Sequence, residues 1–146
     1  MATIVVGYDD GEPAKRALDR ALEEAKERSA HLIVVSVLEL PLDPNAPRNF
    51  GTLGDGPAAR MPAGLPPELE PAVAHAHDRV AAAGLRADLV WAAGSPAEVL
   101  IEVAQERNAS LIVLGAHHHG LFGNLFGADV AEEVRRRSGA DVLAVD

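Results

Sequence analysis

Apolar residues along this chain follow two alternating rhythms. Short continuous runs at 3–8 (TIVVGY), 31–38 (HLIVVSVL), 87–92 (ADLVWA), 111–114 (LIVL) and 142–145 (VLAV) are rich in β-branched side chains. Runs of that length without polar alternation mark strands buried on both faces. Between them the period becomes helical. Ala14, Ala17, Leu18, Ala21, Leu22 and Ala25 fall at i, i+3, i+4, i+7, i+8 and i+11 and form one stripe, with Pro13 suited to the helix start. A second helix is predicted over 67–83, tolerating Pro71 near its first turn and stopping at Gly84. Ser95-Pro-Ala-Glu98 has the spacing of a capping box, and Val99, Leu100, Val103 and Ala104 give the third helix its buried face. A fourth helix is predicted over 128–137, ended by Gly139.

Five strands alternating with helices predict an α/β fold: a single doubly wound domain over 1–146, with a five-stranded parallel sheet of order 3-2-1-4-5 and helices on both faces. In that order the first and fourth strands are neighbours, and ligands bind in the crevice between their carboxyl ends. The loops that matter are then 7–11 and 115–129. The segment 39–66 holds six of the ten prolines and four glycines, so it is predicted to be a long irregular loop, the least ordered part of the fold. The last strand is an edge with no proline or lysine to blunt it.

Composition narrows the setting. At 146 residues, 48% hydrophobic and 24% charged, the chain suits one globular domain. A net charge of −9 argues against gripping nucleic acid or anionic lipid. The absence of cysteine removes disulfides and thiolate chemistry. With no leader pattern before Thr3 and no apolar run of membrane-spanning length, a cytoplasmic protein is expected.

Familiar site chemistries find no complete set of residues. Asp9-Asp10 looks like the acidic pair of a phospho-accepting receiver, but the third strand ends Trp91-Ala-Ala-Gly94 without the accepting aspartate. There is no Gly-Lys-Ser/Thr loop and no Gly-x-Gly-x-x-Gly fingerprint. Ser36 is inside a strand, Ser95 is a cap and Ser110 precedes a strand, so none forms a nucleophile elbow. His117, His118 and His119 are consecutive and point apart, and His75 and His77 lie two apart on a helix, so no metal site is expected. These residues give no catalytic group and predict a protein that is not an enzyme. A rival reading makes the three histidines a metal-assisted phosphoester hydrolase.

In order along the chain, Ile4-Val-Val-Gly-Tyr-Asp9 leading to Pro13-Ala14, the strand LIVVSVL with its long following loop, Gly94-Ser-Pro-Ala-Glu98, Ala109-Ser-Leu-Ile-Val-Leu-Gly115 and Val142-Leu-Ala-Val145 resemble the universal stress protein family. The resemblance covers the whole chain. It implies a crevice of adenine-nucleotide size, a homodimer paired through Val142, Leu143, Ala144 and Val145, protein clients, and a stress-response role without established catalysis. It further implies that Asp9 and Val37 hold the base and that Gly115 opens the phosphate loop. In ATP-binding members that loop reads Gly, two residues, Gly, nine residues, Gly, then Ser or Thr. Counted from Gly115, the later positions are His118, Ala128 and Asp129, and only the first glycine matches. A shift by one brings Gly127 into place but leaves Ala128 where the hydroxyl belongs. Asp129-Val-Ala-Glu132 has capping-box spacing, so the Asp129 carboxylate is expected to take the helix amides that a phosphate needs. Two like charges at about 4 Å repel by ~4 kcal/mol at an effective dielectric near 20. The phosphate site is therefore read as lost or altered, and ATP as a weak ligand or none. The alternative is an ATP-binding switch in which His117–His119 donate to phosphate.

Overall fold

The fold comes from a computed structural model that describes residues 2–39, 50–52, 64–115 and 128–145. Strands β1 (Thr3–Gly7), β2 (His31–Glu39), β4 (Ala87–Gly94), β5 (Leu111–Gly115) and β6 (Asp141–Val145) form a parallel sheet in the order β4-β2-β1-β5-β6. Ignoring the short β3, this is the predicted 3-2-1-4-5 topology. The register is continuous, with Gly7 opposite Val35, Val6 opposite Val113 and Val113 opposite Leu143.

Helices α1 (Glu12–Arg28) and α2 (Glu70–Ala82) cover one face, and α3 (Pro96–Glu106) and α4 (Ala128–Arg137) cover the other. Strand alternation sorts the core between them. Ile4, Val6 and Tyr8 point towards α1 and α2, while Val5, Ile33, Val35, Val37, Ile112 and Leu114 point towards α3 and α4. All six residues of the predicted α1 stripe are buried. No described helix is long and apolar enough to cross a membrane.

Four local expectations are corrected. Part of the segment read as structureless is a strand: β3 (Phe50–Thr52) lies antiparallel along β4, with Gly51 opposite Trp91. It supplies hydrogen bonds to an edge that would otherwise stand open. Residues 40–49 and 53–63 lie outside the described residues, as does the expectation of low order there. The second helix begins as a 3-10 turn at Pro67–Leu69 and becomes α-helical only at Glu70, because Pro71 has no N–H and fits only a first turn. Ser95 has the extended backbone of an N-cap, but its hydroxyl makes no capping bond; Glu98 accepts from Arg137 of α4. Asp129 is the second residue of α4 rather than the cap before it, since the strong helix former Ala128 already belongs to the helix.

At the amino end of the sheet a carboxylate is buried in an otherwise apolar strand. Asp88 on β4 is 2% exposed, and its Oδ2 accepts from His31 Nε2 at 2.9 Å and Arg107 Nη1 at 3.2 Å. Those two donors come from the start of β2 and the end of α3, so one side chain fastens three elements. Asp88→Ala is expected to lower unfolding free energy by roughly 2 kcal/mol in urea denaturation, and Asp88→Asn by about half as much because an acceptor remains. A loss below about 0.5 kcal/mol for both would show that the network is dispensable.

Candidate functional site

The central strand β1 stops at Gly7, whereas β2 continues to Glu39. The Tyr8 N–H reaches Val35 O at 2.8 Å, which extends the pairing by one residue. Beyond that point no described strand lies on the β1 side of β2. Since Val35 turns its carbonyl towards β1, the two-residue alternation turns the N–H and C=O of Val37 the same way, over the end of β1. The Val37 side chain is buried in the α3/α4 core, so what it offers a ligand is backbone. A notch results, floored by the end of β1 and flanked by the overhanging β2 on one side and β5 on the other.

The turn from β1 to α1 lines this notch. Asp9 Oδ1 accepts the Gly11 N–H at 2.9 Å, closing a local ring across Asp10. Asp10 itself sits at φ +67°. Gly11 is the extended N-cap of α1, and its carbonyl accepts the Lys15 N–H at 3.0 Å. On the opposite wall, Gly115 closes β5 directly beneath the start of α1. A Cβ there would lie 2.5 Å from the Pro13 carbonyl carbon and 2.7 Å from the Ala14 nitrogen, so no side chain fits.

The predicted residues thus fall into four groups. Asp9, Val37 and Gly115 surround one notch. His117, His118 and His119 lie outside the described residues, and Ala128 and Asp129 open α4, with Asp129 exposed. His75 and His77 are not brought together: His75 reaches Asp10, and His77 Nδ1 lies 3.2 Å from its neighbour Asp78. Among the described residues no group of three metal-ligating side chains occurs.

The structure adds a chain of groups with no signature in sequence spacing. The buried Tyr8 hydroxyl donates to Asp10 Oδ1 at 2.9 Å. His75 Nδ1, assigned as protonated because its partner is a carboxylate, lies 2.8 Å from Asp10 Oδ2 and 3.0 Å from Oδ1. Burial first, then the hydrogen bond and charge of Asp10, push the Tyr8 phenol well above the ordinary tyrosine range, so it remains a neutral donor. Beside it, Arg79 of α2 is held charged by its bond to Asp19 of α1.

Comparison with known proteins places these features in a family setting. The profile of the Universal stress protein family matches residues 1–146. A Thermus aquaticus protein described as "Universal stress protein in QAH/OAS sulfhydrylase 3'region" is 31% identical over 144 residues, 98% of this chain and 97% of its own. Among solved structures, a universal stress protein in complex with cAMP is 31% identical, with a TM-score of 0.69 over 99% of this chain and 97% of that one. A family protein from Burkholderia pseudomallei is 27% identical, with a TM-score of 0.64 over 99% and 95%.

The raised phenol has a pH consequence. A proton held more tightly in the folded state stabilises the fold fully below the unfolded tyrosine pKa of about 10, and that stability is lost as pH rises beyond it. Tyr8 is the only tyrosine, so absorbance near 295 nm reads it alone. Native protein should show no phenolate signal through pH 11, the signal appearing only together with unfolding. Tyr8→Phe should flatten that part of the alkaline stability loss.

Proposed function

The chain belongs to the universal stress protein family, and from that premise we propose that it is a non-catalytic, cytoplasmic regulatory protein that binds an adenine nucleoside or a singly charged adenine nucleotide. The notch carries the reading. Val37 turns one backbone donor and one backbone acceptor over the end of β1, the pair needed to read the hydrogen-bonding edge of adenine, and Asp9 stands beside it. Support comes from the 31% identical relative in complex with cAMP, a ligand with one phosphate and one negative charge.

The phosphate end argues for that restriction. Asp129 in the first turn of α4 puts a fixed negative charge beside the N-terminal amides, the donors that a polyphosphate needs. A cyclic monophosphate or plain nucleoside suffers less from it than a triphosphate. Calorimetric titration should find ATP binding no better than adenosine, with cAMP at least as good as either. Asp129→Ser should tighten ATP by about tenfold while adenosine stays within about twofold. Adding His118→Gly should improve ATP further by freeing the loop backbone. Micromolar ATP binding by the unmodified protein would overturn this reading in favour of the switch assisted by His117–His119.

The same reading includes a homodimer. β6 lies at the end of the sheet order, Val142, Leu143 and Val145 are only half-buried, and Ala144 is exposed. A two-fold antiparallel pairing of this strand with its copy would cover the edge. Sedimentation at tens of micromolar should give a dimer, and Ala144→Lys should shift it to monomer with the fold retained. A monomeric wild-type protein would refute the pairing.

A further inference from the structure

We propose that Asp10 is a positioning residue of the adenine notch: clasped between Tyr8 and His75, it holds the β1–α1 turn in the left-handed form that sets the Asp9 carboxylate. The inference rests on the adenine-binding reading above and assigns the part of the turn that keeps the site in shape.

The backbone is the first observation. Asp10 occupies φ +67°, a region where side-chain-bearing residues are uncommon and aspartate and asparagine are among the better tolerated. The adjacent glycine, Gly11, has an ordinary extended conformation at φ −74°, ψ 163°. The chain therefore places a carboxylate at the left-handed position and the permissive residue where permission is not needed. Strain of this kind persists where surrounding contacts over-determine it.

Those contacts arrive from two unrelated directions. Tyr8 is fully buried in the α1/α2 core, which fixes the hydroxyl that donates to Asp10 at 2.9 Å. His75 comes from α2, sixty-five residues away in sequence, and engages both carboxylate oxygens at 2.8 and 3.0 Å. Rotating Asp10 out of the left-handed region would break both contacts. It would also break the 2.9 Å bond from the Gly11 N–H to Asp9 Oδ1, because Asp10 is the residue inside that ring. The conformation of Asp10 and the orientation of the Asp9 carboxylate are thus coupled. Gly11 caps α1, whose first turn presses on Gly115, so the same clasp also locates the opposite wall of the notch.

Two measurements on the full-length chain test this: solvent exchange of the Gly11 amide by NMR, and adenosine affinity by calorimetry. Thermal melting is recorded beside them for Asp10→Ala, Asp10→Asn, Tyr8→Phe and His75→Ala. Asp10→Ala should accelerate Gly11 exchange and weaken adenosine binding by about tenfold each. His75→Ala, a change at a side chain 57% exposed, should weaken binding about fivefold with melting nearly unchanged. Tyr8→Phe should weaken binding to a similar extent. Asp10→Asn should recover most of the loss seen with Asp10→Ala, since it tolerates the left-handed backbone and retains an acceptor. If the variants lower the melting temperature while Gly11 exchange and adenosine affinity stay as in wild type, Asp10 is merely structural and the proposal is overturned. If wild-type protein binds neither adenosine nor cAMP, the functional reading fails in the unmodified chain, and this inference falls with it.

Discussion

The enclosure of β1 is the constraint from which the rest of the architecture follows. Ile4, Val5 and Val6 are fully buried, with β2 and β5 on the two edges of the strand and helices over both faces. A parallel strand enclosed in this way can meet solvent only at its ends. At the carboxyl end the chain leaves through a tight turn while β2 runs on, and the mismatch in strand length creates the notch. α1 then lies back across β1 and β5, which brings its first turn down on Gly115. The geometry of the notch is therefore a by-product of how the core strand is covered.

The two ends of the sheet use one device for different ends. At the amino end Asp88 gathers His31 and Arg107; at the carboxyl end Asp10 gathers Tyr8 and His75. Each carboxylate joins elements distant in sequence. Burial separates their roles, since Asp88 is 2% exposed and Asp10 27%. The enclosed carboxylate acts as a fixed staple, because an unpartnered charge there would be costly. The more accessible one adds less to the stability of the fold, and its two contacts serve instead to hold the shape of the turn.

How much of this the sequence disclosed depended on the range of the interaction. Periodicity reports burial, so the strand runs and the Ala14-to-Ala25 stripe gave the topology and core directly. Pairing between residues far apart has no period. Nothing near Asp10 foretells His75, and nothing in Ser95-Pro-Ala-Glu98 foretells that Glu98 accepts from Arg137 of another helix. Asp88 did carry a signal: a carboxylate within ADLVWA, a run otherwise built for burial, requires a partner. The identity of its partners was visible only in three dimensions. β3 was missed for a related reason, since three residues are too few to show alternation and the strand exists because the edge of β4 accepts it. Family resemblance pointed to Asp9 and Val37, whereas what Val37 turns towards the notch, backbone and not side chain, needed the register.

The absence of any clearance at Gly115 changes how a chain of this kind should be classified from its letters alone. Helix α1 excludes a side chain at that position whatever occupies the crevice, so selection on folding alone would keep the glycine after every phosphate contact had been abandoned. Its presence therefore says nothing about nucleotide use. The positions that discriminate are those that packing does not dictate, and a lineage drifting away from triphosphates would change them first while its opening glycine stood unaltered.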